Sequence, residues 1–257
     1  MSTLTLAARD SSTMVRRQLK RMLRYPSMTI QLIVTPVILL LLFVYVFGGT
    51  LGAGLGGGRD TYIAYIVPGI LLMAAATAAT GTAVMVATDM TEGIIARFRT
   101  MRISRASVLT GHVVGSVIQQ LLGMVVLIAI AVAIGFRPNA TAVEWLATAG
   151  LLTLFAVAIT WLSVALGLKS STPEAASNAP MPLILLPFLG SGFVPTDSMP
   201  TALRWFAEYQ PFTPIMETIR GLLMGNPIGS SAAIATAWCT AIALISYLWA
   251  KNTFNKS

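Results

Sequence analysis

Six long stretches of this chain contain no Asp, Glu, Lys or Arg: 27–47, 62–88, 108–134, 145–168, 179–193 and 231–250. A hydrocarbon layer about 30 Å thick is crossed by roughly 20 apolar residues in a helix. Within such a layer every backbone N–H and C=O must be satisfied by the protein itself, which leaves helices and closed barrels as spanning structures. Runs of this length and continuity predict helices. Composition agrees: the 257 residues are 56% hydrophobic and 10% charged, against about 25% charged in an average soluble domain. There is too little charge to coat a soluble core. The expected fold is an all-α integral membrane protein, one transmembrane domain over 1–257 with six spans.

The spans differ in quality. The stretch 179–193 is short and carries Pro180, Pro182 and Pro187, and the following residues are broken by Pro195, Pro200, Pro211, Pro214 and Pro227. We expect one crossing there, followed by short helices that dip into or lie on the outer leaflet. The glycine-rich run 48–58 reads as a flexible outer loop. The first apolar run is too long for the core of a cleaved signal and reads as a retained span.

The net charge of +8 does not form a nucleic-acid footprint, because the basic residues sit in short clusters between apolar runs, as membrane topology is encoded. Thirteen of the 17 Lys and Arg residues fall on the side that holds residues 1–26, 89–107, Lys169 and the C-terminus. Arg59, Arg137, Arg204 and Arg220 fall on the other. The excess of positive charge predicts that both termini are cytoplasmic. The abundance of Ala, Gly and Arg suggests a bacterial source, hence the bacterial cytoplasmic membrane.

Several chemistries find no footing. No lysine follows a glycine, so a phosphate-binding P-loop is excluded and the chain does not hydrolyse ATP alone. Gly52–Gly57 fits GxGxxG but follows a span, not a strand. His112 is the single histidine and Cys239 the single cysteine, so neither a zinc cluster nor an internal disulfide is expected. An intramembrane protease would need Ser191, between Gly190 and Gly192, to meet His112; that reading stays a minor alternative. No catalytic or metal-binding residue is assigned. Span interiors without ionisable groups argue against proton- or ion-coupled transport, and suit a translocator powered from outside the membrane.

Two amphipathic segments carry more information. In 11–24, Val15, Leu19, Met22 and Leu23 fall at helical spacing, with Arg16, Arg17, Lys20, Arg21 and Arg24 on the other face. This is the pattern of an interfacial helix lying on anionic lipid headgroups. In the loop 89–107, Asp89 and Glu92 have capping-box spacing and would start a new helix. There Ile94, Ile95, Phe98 and Met101 form an apolar stripe flanked by Arg97, Arg99 and Arg102. Such a ridge fits a groove on a soluble partner, or lies on the headgroups. Farther along, Glu217 and Arg220 at i, i+3 and Arg204 and Glu208 at i, i+4 read as helix pairs, with an outer gate at Glu217 and Arg220 as the functional alternative. Gly111-x-x-x-Gly115 and Gly221-x-x-x-Gly225 permit close helix contact.

Glu92-Gly93 followed by Arg97-Phe98-Arg99-Thr100-Met101-Arg102-Ile103-Ser104-Arg105 resembles the cytoplasmic loop of type-2 ABC transporter permeases, especially the daunorubicin-resistance branch. Where that loop often carries a proline, this chain has Met101-Arg102. Pro211-Phe-Thr-Pro214-Ile-Met-Glu217-Thr-Ile-Arg220-Gly-Leu-Leu-Met-Gly225 is similar to the family's motif before the last span, and the N-terminal basic helix to its connecting helix.

The resemblance implies a permease homodimer or heterodimer with two cytosolic ATP-binding subunits. It implies no cofactor in this chain, with ATP and Mg bound by the partner. Residues 89–107 would hold the coupling helix: Glu92 and Gly93 would start it, Ile94, Phe98 and Met101 would be its knobs, and Arg97 and Arg102 would pair with acidic groups. The cargo implied is hydrophobic or amphipathic, a lipid or drug. A polysaccharide-exporting permease and an ion-coupled transporter or channel without an ATPase are the alternatives. The topology makes a prediction. In a Cys239→Ala background, Ser104→Cys should react with a membrane-impermeant maleimide only after the cytoplasmic face is opened. Labelling of intact cells would refute the assignment of 89–107 to the cytoplasm.

Overall fold

The structure, a computed structural model, describes residues 26–92 and 105–256. The expected interfacial helix over 11–24 and most of the expected coupling helix, 93–104, lie outside the described residues. Among the described residues every regular element is helical.

Helix α1 (Pro26–Leu42) passes through a π-helical turn, Phe43–Phe47, into α2 (Gly48–Gly54). The run 48–58 is thus not the flexible loop expected. The helix continues to Gly54, and the chain reverses through Gly56 at φ 76°, a left-handed conformation that glycine adopts without strain. A side chain at Gly52 would strike the Gly58 carbonyl, so these glycines let two backbone segments touch. No strand precedes GxGxxG here, which removes the dinucleotide reading.

Helix α3 (Arg59–Thr91) is 33 residues long. Asp60 in its first turn complements the helix dipole. Helix α4 (Arg105–Ala133) returns antiparallel to it: Gly135 lies beside Asp60 and Ile63 at one end, and Thr82 Oγ1 donates to Ser116 Oγ at 2.8 Å toward the other. Helix α5 (Ala142–Lys169) opens with a complete capping box. Thr141 N–H donates to Glu144 Oε2 at 2.6 Å and Glu144 N–H to Thr141 Oγ1 at 3.4 Å. The capping box expected at Asp89 does not form, because α3 runs through Asp89 and ends at Thr91, with Glu92 as its exposed C-cap.

The expected span over 179–193 is not a continuous helix. Its place is taken by α6 (Pro173–Asn178), α7 (Met181–Leu185) and a run of turns to Phe193. Pro180 and Pro182 sit at the start of α7, where a missing N–H costs nothing, and Pro187 prevents its continuation. The broken stretch still covers distance. Ala176 packs with Ala83 and Ala87, whereas Ser191 lies beside Tyr65 across the Arg220 side chain. Those levels are about 30 Å apart along α3 at 1.5 Å per residue. A 3₁₀ turn (Thr196–Ser198) leads to α8 (Thr201–Tyr209) and α9 (Phe212–Met224), and α10 (Ser231–Lys256) closes the chain.

Among the described residues, five helices are long and apolar enough to cross a membrane: Ile33–Gly54, Arg59–Thr91, Val113–Ala133, Ala142–Lys169 and Ser231–Phe254. Helix α3 is the hub, touching α1, α2, α4, α5, α6, α7 and α9. The most apolar windows of α3 and α5 are each 67% buried, against 22% for the first span and 17% for α10. The latter two turn apolar side chains outward, as lipid-facing helices do. The tightest contact in the hub is glycine-dependent: a Cβ at Gly167 would come within 2.5 Å of the Ala83 carbonyl oxygen. Gly167→Val should therefore push α5 off α3 and cost about 1–3 kcal/mol, read as a lowered thermal midpoint in detergent, while Gly150→Val, where nothing lies within 4 Å, should leave the midpoint unchanged.

Candidate functional site

The broken stretch poses an accounting problem. Backbone groups without a helix partner at membrane depth must find one in the protein. The Leu186 carbonyl accepts from Gln210 Nε2 at 3.0 Å. The Ser191 carbonyl accepts from an Arg220 terminal nitrogen at 2.6 Å. The Phe193 carbonyl accepts from Tyr62 Oη at 3.3 Å. The Ser191 N–H donates to Thr213 Oγ1 at 3.3 Å, which also accepts from Gln210 Nε2 at 3.3 Å. Side chains of α3 and α9, with Gln210 between α8 and α9, thus do the work that a helix ladder does elsewhere.

Arg220 is the centre of this clamp. Its Nε donates to the Tyr65 carbonyl at 3.2 Å, and its guanidinium carbon lies 3.8 Å from the centroid of the Tyr65 ring. One planar group therefore joins α3, α9 and the broken stretch, using the fork of donors that distinguishes Arg from Lys. Just beyond Tyr65, Pro68 removes the donor that the Ala64 carbonyl would otherwise take, and Gly69 follows it. Proline contributes no N–H to the helix ladder, and glycine allows close approach: a Cβ at Gly69 would lie 2.7 Å from the Gly192 carbonyl oxygen. Gly190 is equally constrained, by the Gln210 side chain. Burial presses the Arg220 pKa downward, opposed by Tyr65 and Glu217.

The other side of the stretch is aromatic. Phe188 and Phe193 stack with centroids 4.1 Å apart. Phe43, in the π-helical turn, sits 4.8 Å from Phe193 and 6.4 Å from Phe188. A π-helical turn inside an α-helix often marks a functional position; here it brings Phe43 to the cluster.

Sequence-level candidates divide clearly. Arg204 and Glu208 form their expected i, i+4 pair at 2.7 Å, extended by Asp197 at 2.5 Å from Arg204. Glu217 and Arg220 do not pair: Arg220 turns inward and Glu217 is exposed. Burial by neighbouring protein nevertheless pushes the Glu217 carboxyl up, with the Arg220 charge opposing it. Gly221 and Gly225 serve a turn. Gly225, at φ 69°, ends α9, and Gly221 makes room for Ile228, whose Cγ2 would lie 2.6 Å from an added Cβ.

Ser191 is 3% exposed and sits at the Tyr65 level of α3. His112 lies on α4 (Arg105–Ala133), beyond Ser116 toward the opposite end of α3, roughly 30 Å away by helix rise. The Ser–His alternative is thereby removed. Gly93, Ile94, Arg97, Phe98, Met101 and Arg102, and Arg16, Arg17, Lys20, Arg21 and Arg24, lie outside the described residues. Tyr62, Tyr65, Gln210, Thr213 and the phenylalanine cluster were not singled out from sequence; a Gln and an Arg set among proline-broken apolar residues were the available signal.

Arg220→Ala strands the Ser191 carbonyl and removes the guanidinium from the Tyr65 ring and carbonyl. An unsatisfied buried group costs about 1–3 kcal/mol, so this change should lower stability by about 2 kcal/mol or more, measured by thermal unfolding in detergent. Arg220→Lys should recover only part of the loss, and Glu217→Ala should cost less than about 0.5 kcal/mol, as surface changes do.

Comparison with known proteins places this architecture. Residues 10–224 match the family described as ABC-2 type transporter. The chain is 26% identical over 204 residues to the daunorubicin resistance ABC transporter permease protein DrrB1 of Streptomyces coeruleorubidus, covering 79% of this chain and 70% of that one. It is 25% identical over 187 residues to the probable doxorubicin resistance ABC transporter permease protein DrrC of Mycobacterium tuberculosis, covering 73% and 68%. With a match over most of its length and the multi-pass helical architecture described above, this chain belongs to the ABC-2 type transporter family.

Proposed function

We propose that this chain is the permease subunit of an ATP-driven exporter and carries a hydrophobic or amphipathic molecule, a lipid or a drug, across the bacterial cytoplasmic membrane. Family membership and the drug-resistance names of its relatives support the reading. The observation that carries the mechanism is the continuity of α3. Its 33 residues span about 50 Å, and about 40 Å separate Tyr65, at the level of the Arg220 clamp, from Glu92, where the loop toward α4 begins. A push delivered to that loop moves both α3 and α4, and the outer clamp rides on α3.

In this reading, residues 89–107 hold the coupling helix, with Phe98 and Met101 seated in a groove of a separate ATP-binding chain. ATP and Mg are bound there, so this chain has no hydrolytic site of its own. Two such ATPases act on a permease dimer, and ATP must favour one conformation over the other to do work. Both termini are cytoplasmic, the broken stretch 179–193 is the fifth of six crossings, and α8 and α9 lie in the outer leaflet. The helix bearing Arg16, Arg17, Lys20, Arg21 and Arg24 rests on the inner headgroups. The clamp of Arg220, with Glu217 at its exposed edge, closes the outer end of the path.

The test is reconstitution with the ATP-binding partner in proteoliposomes. A fluorescent amphipathic anthracycline should be moved only with ATP and the partner present. Phe98→Asp should reduce that flux at least tenfold while membrane insertion is unchanged. Flux by the permease alone, driven by an ion gradient, would favour ion coupling; full flux with Phe98→Asp would contradict the coupling assignment.

A further inference from the structure

Away from the outer clamp, a second polar layer lies where α3, α4 and α5 meet, toward the end of the bundle that carries the 93–104 connection. Thr82, Ser116, Gln120, Thr160 and Ser163 are each at most 4% exposed. Thr82 Oγ1 donates to Ser116 Oγ at 2.8 Å, tying α3 to α4. Gln120 Nε2 donates to Thr160 Oγ1 at 2.8 Å, tying α4 to α5. Thr160 passes its own proton back to the Ala156 carbonyl at 2.6 Å.

Two atoms in this layer are left over. Gln120 Oε1 and Ser163 Oγ are buried and have no hydrogen-bond partner. They are chemically complementary, an amide acceptor and a hydroxyl donor. Helical spacing puts Ser163 one turn from Thr160 on the same face of α5. Gly167, on that face too, lies against the Ala83 backbone, so Ser163 faces the seam rather than the lipid.

We propose that Gln120 is the moving contact of a two-position register switch, bonded to Thr160 in the arrangement seen here and to Ser163 in a second one. Because α4 and α5 are antiparallel, the second position is reached when α4 moves toward the 93–104 end relative to α5. The three-residue offset corresponds to about 4.5 Å of helix rise, shortened by the reach of the Gln120 side chain. The backbone contact of Gly167 with Ala83 holds α5 to α3, so α4 is the helix that slides, exchanging its single Thr82–Ser116 bond as it moves. In each position one hydroxyl on α5 satisfies the glutamine, and the unpaired atoms seen here mark the bond that the other arrangement makes. Packed seams are bistable in this way because intermediate registers leave polar groups unmatched.

The inference rests on the ATP-driven reading, since it assigns the slide to the pull or push on the 93–104 connection. Thr160→Val removes the partner of one position and Ser163→Ala that of the other. The reporter is disulfide formation between cysteines placed at Val117 and Val164, in a Cys239→Ala chain assembled with its ATP-binding partner in nanodiscs, with and without vanadate-trapped nucleotide. One interhelical hydrogen bond of about 0.6 kcal/mol shifts a two-state equilibrium about threefold. The two substitutions should therefore displace the crosslinking yield by about that factor in opposite directions, and Ser163→Thr, which keeps the hydroxyl, should behave as the parent. Displacement in the same direction, or in neither, overturns the switch. If the partner fails to assemble or to trap nucleotide on the parent chain, it is the ATP-driven reading that fails instead.

Discussion

A backbone buried away from water has no solvent to complete its hydrogen bonds, and in this protein that constraint falls on eight residues, 186–193, of which 190–193 are all buried. The long helices carry their own ladders, interrupted at Pro36 in α1 and at Pro68 in α3. The broken stretch cannot, and it persists because Tyr62, Thr213 and Arg220 each supply a bond that the backbone lacks, while Gln210 adds a second donor to the Leu186 carbonyl. Arg220 matters most, since it ties three elements, the stretch, α3 and α9. Burying a guanidinium costs several kcal/mol unless it is paired; two carbonyls and the Tyr65 ring offset that cost by direct contact, and the Glu217 charge adds to them from farther away. The result is a fastener with strict geometry rather than an ion pair that salt would loosen.

The fastener gives α3 its meaning. One continuous helix holds the clamp near its start and ends at Glu92, where the connection to α4 begins. Along the way it packs on α5 through Gly167 and on the broken stretch through Gly69. Glycines at both contacts bring backbones together and leave little room for side chains to absorb a displacement. The helix is therefore suited to carry a movement from one face of the membrane to the other. Helices α1 and α10, with their apolar residues turned outward, form the surface that lipid or a neighbouring subunit covers.

Much of this was legible in the sequence. Charge-free runs located the long helices to within a few residues, because hydrophobic length is a strong and local signal. Three features were not. The glycine run after the first span reads as a loop by composition, yet it folds as helix to Gly54 because a close backbone approach needs glycine as much as a turn does. The acid pair Asp89 and Glu92 had capping-box spacing, but so did Thr141 and Glu144, and only the second pair stands where a helix begins. Glu217 and Arg220 had the spacing of a pair, but spacing cannot reveal that the Ser191 and Tyr65 carbonyls hold the guanidinium. Prolines announced that 179–193 was irregular; the partners that satisfy it lie 20 or more residues away in sequence, or on α3 more than 100 away, where no local pattern points.

The central physical claim is that residues 186–193, though not helical, are as firmly held as the helices around them. Hydrogen–deuterium exchange of the protein in nanodiscs, resolved to single peptides, measures this directly. The account predicts that peptides covering 188–193 exchange slowly, on the timescale of the buried middle of α3. Exchange within seconds, at the rate of an open surface loop, would contradict it.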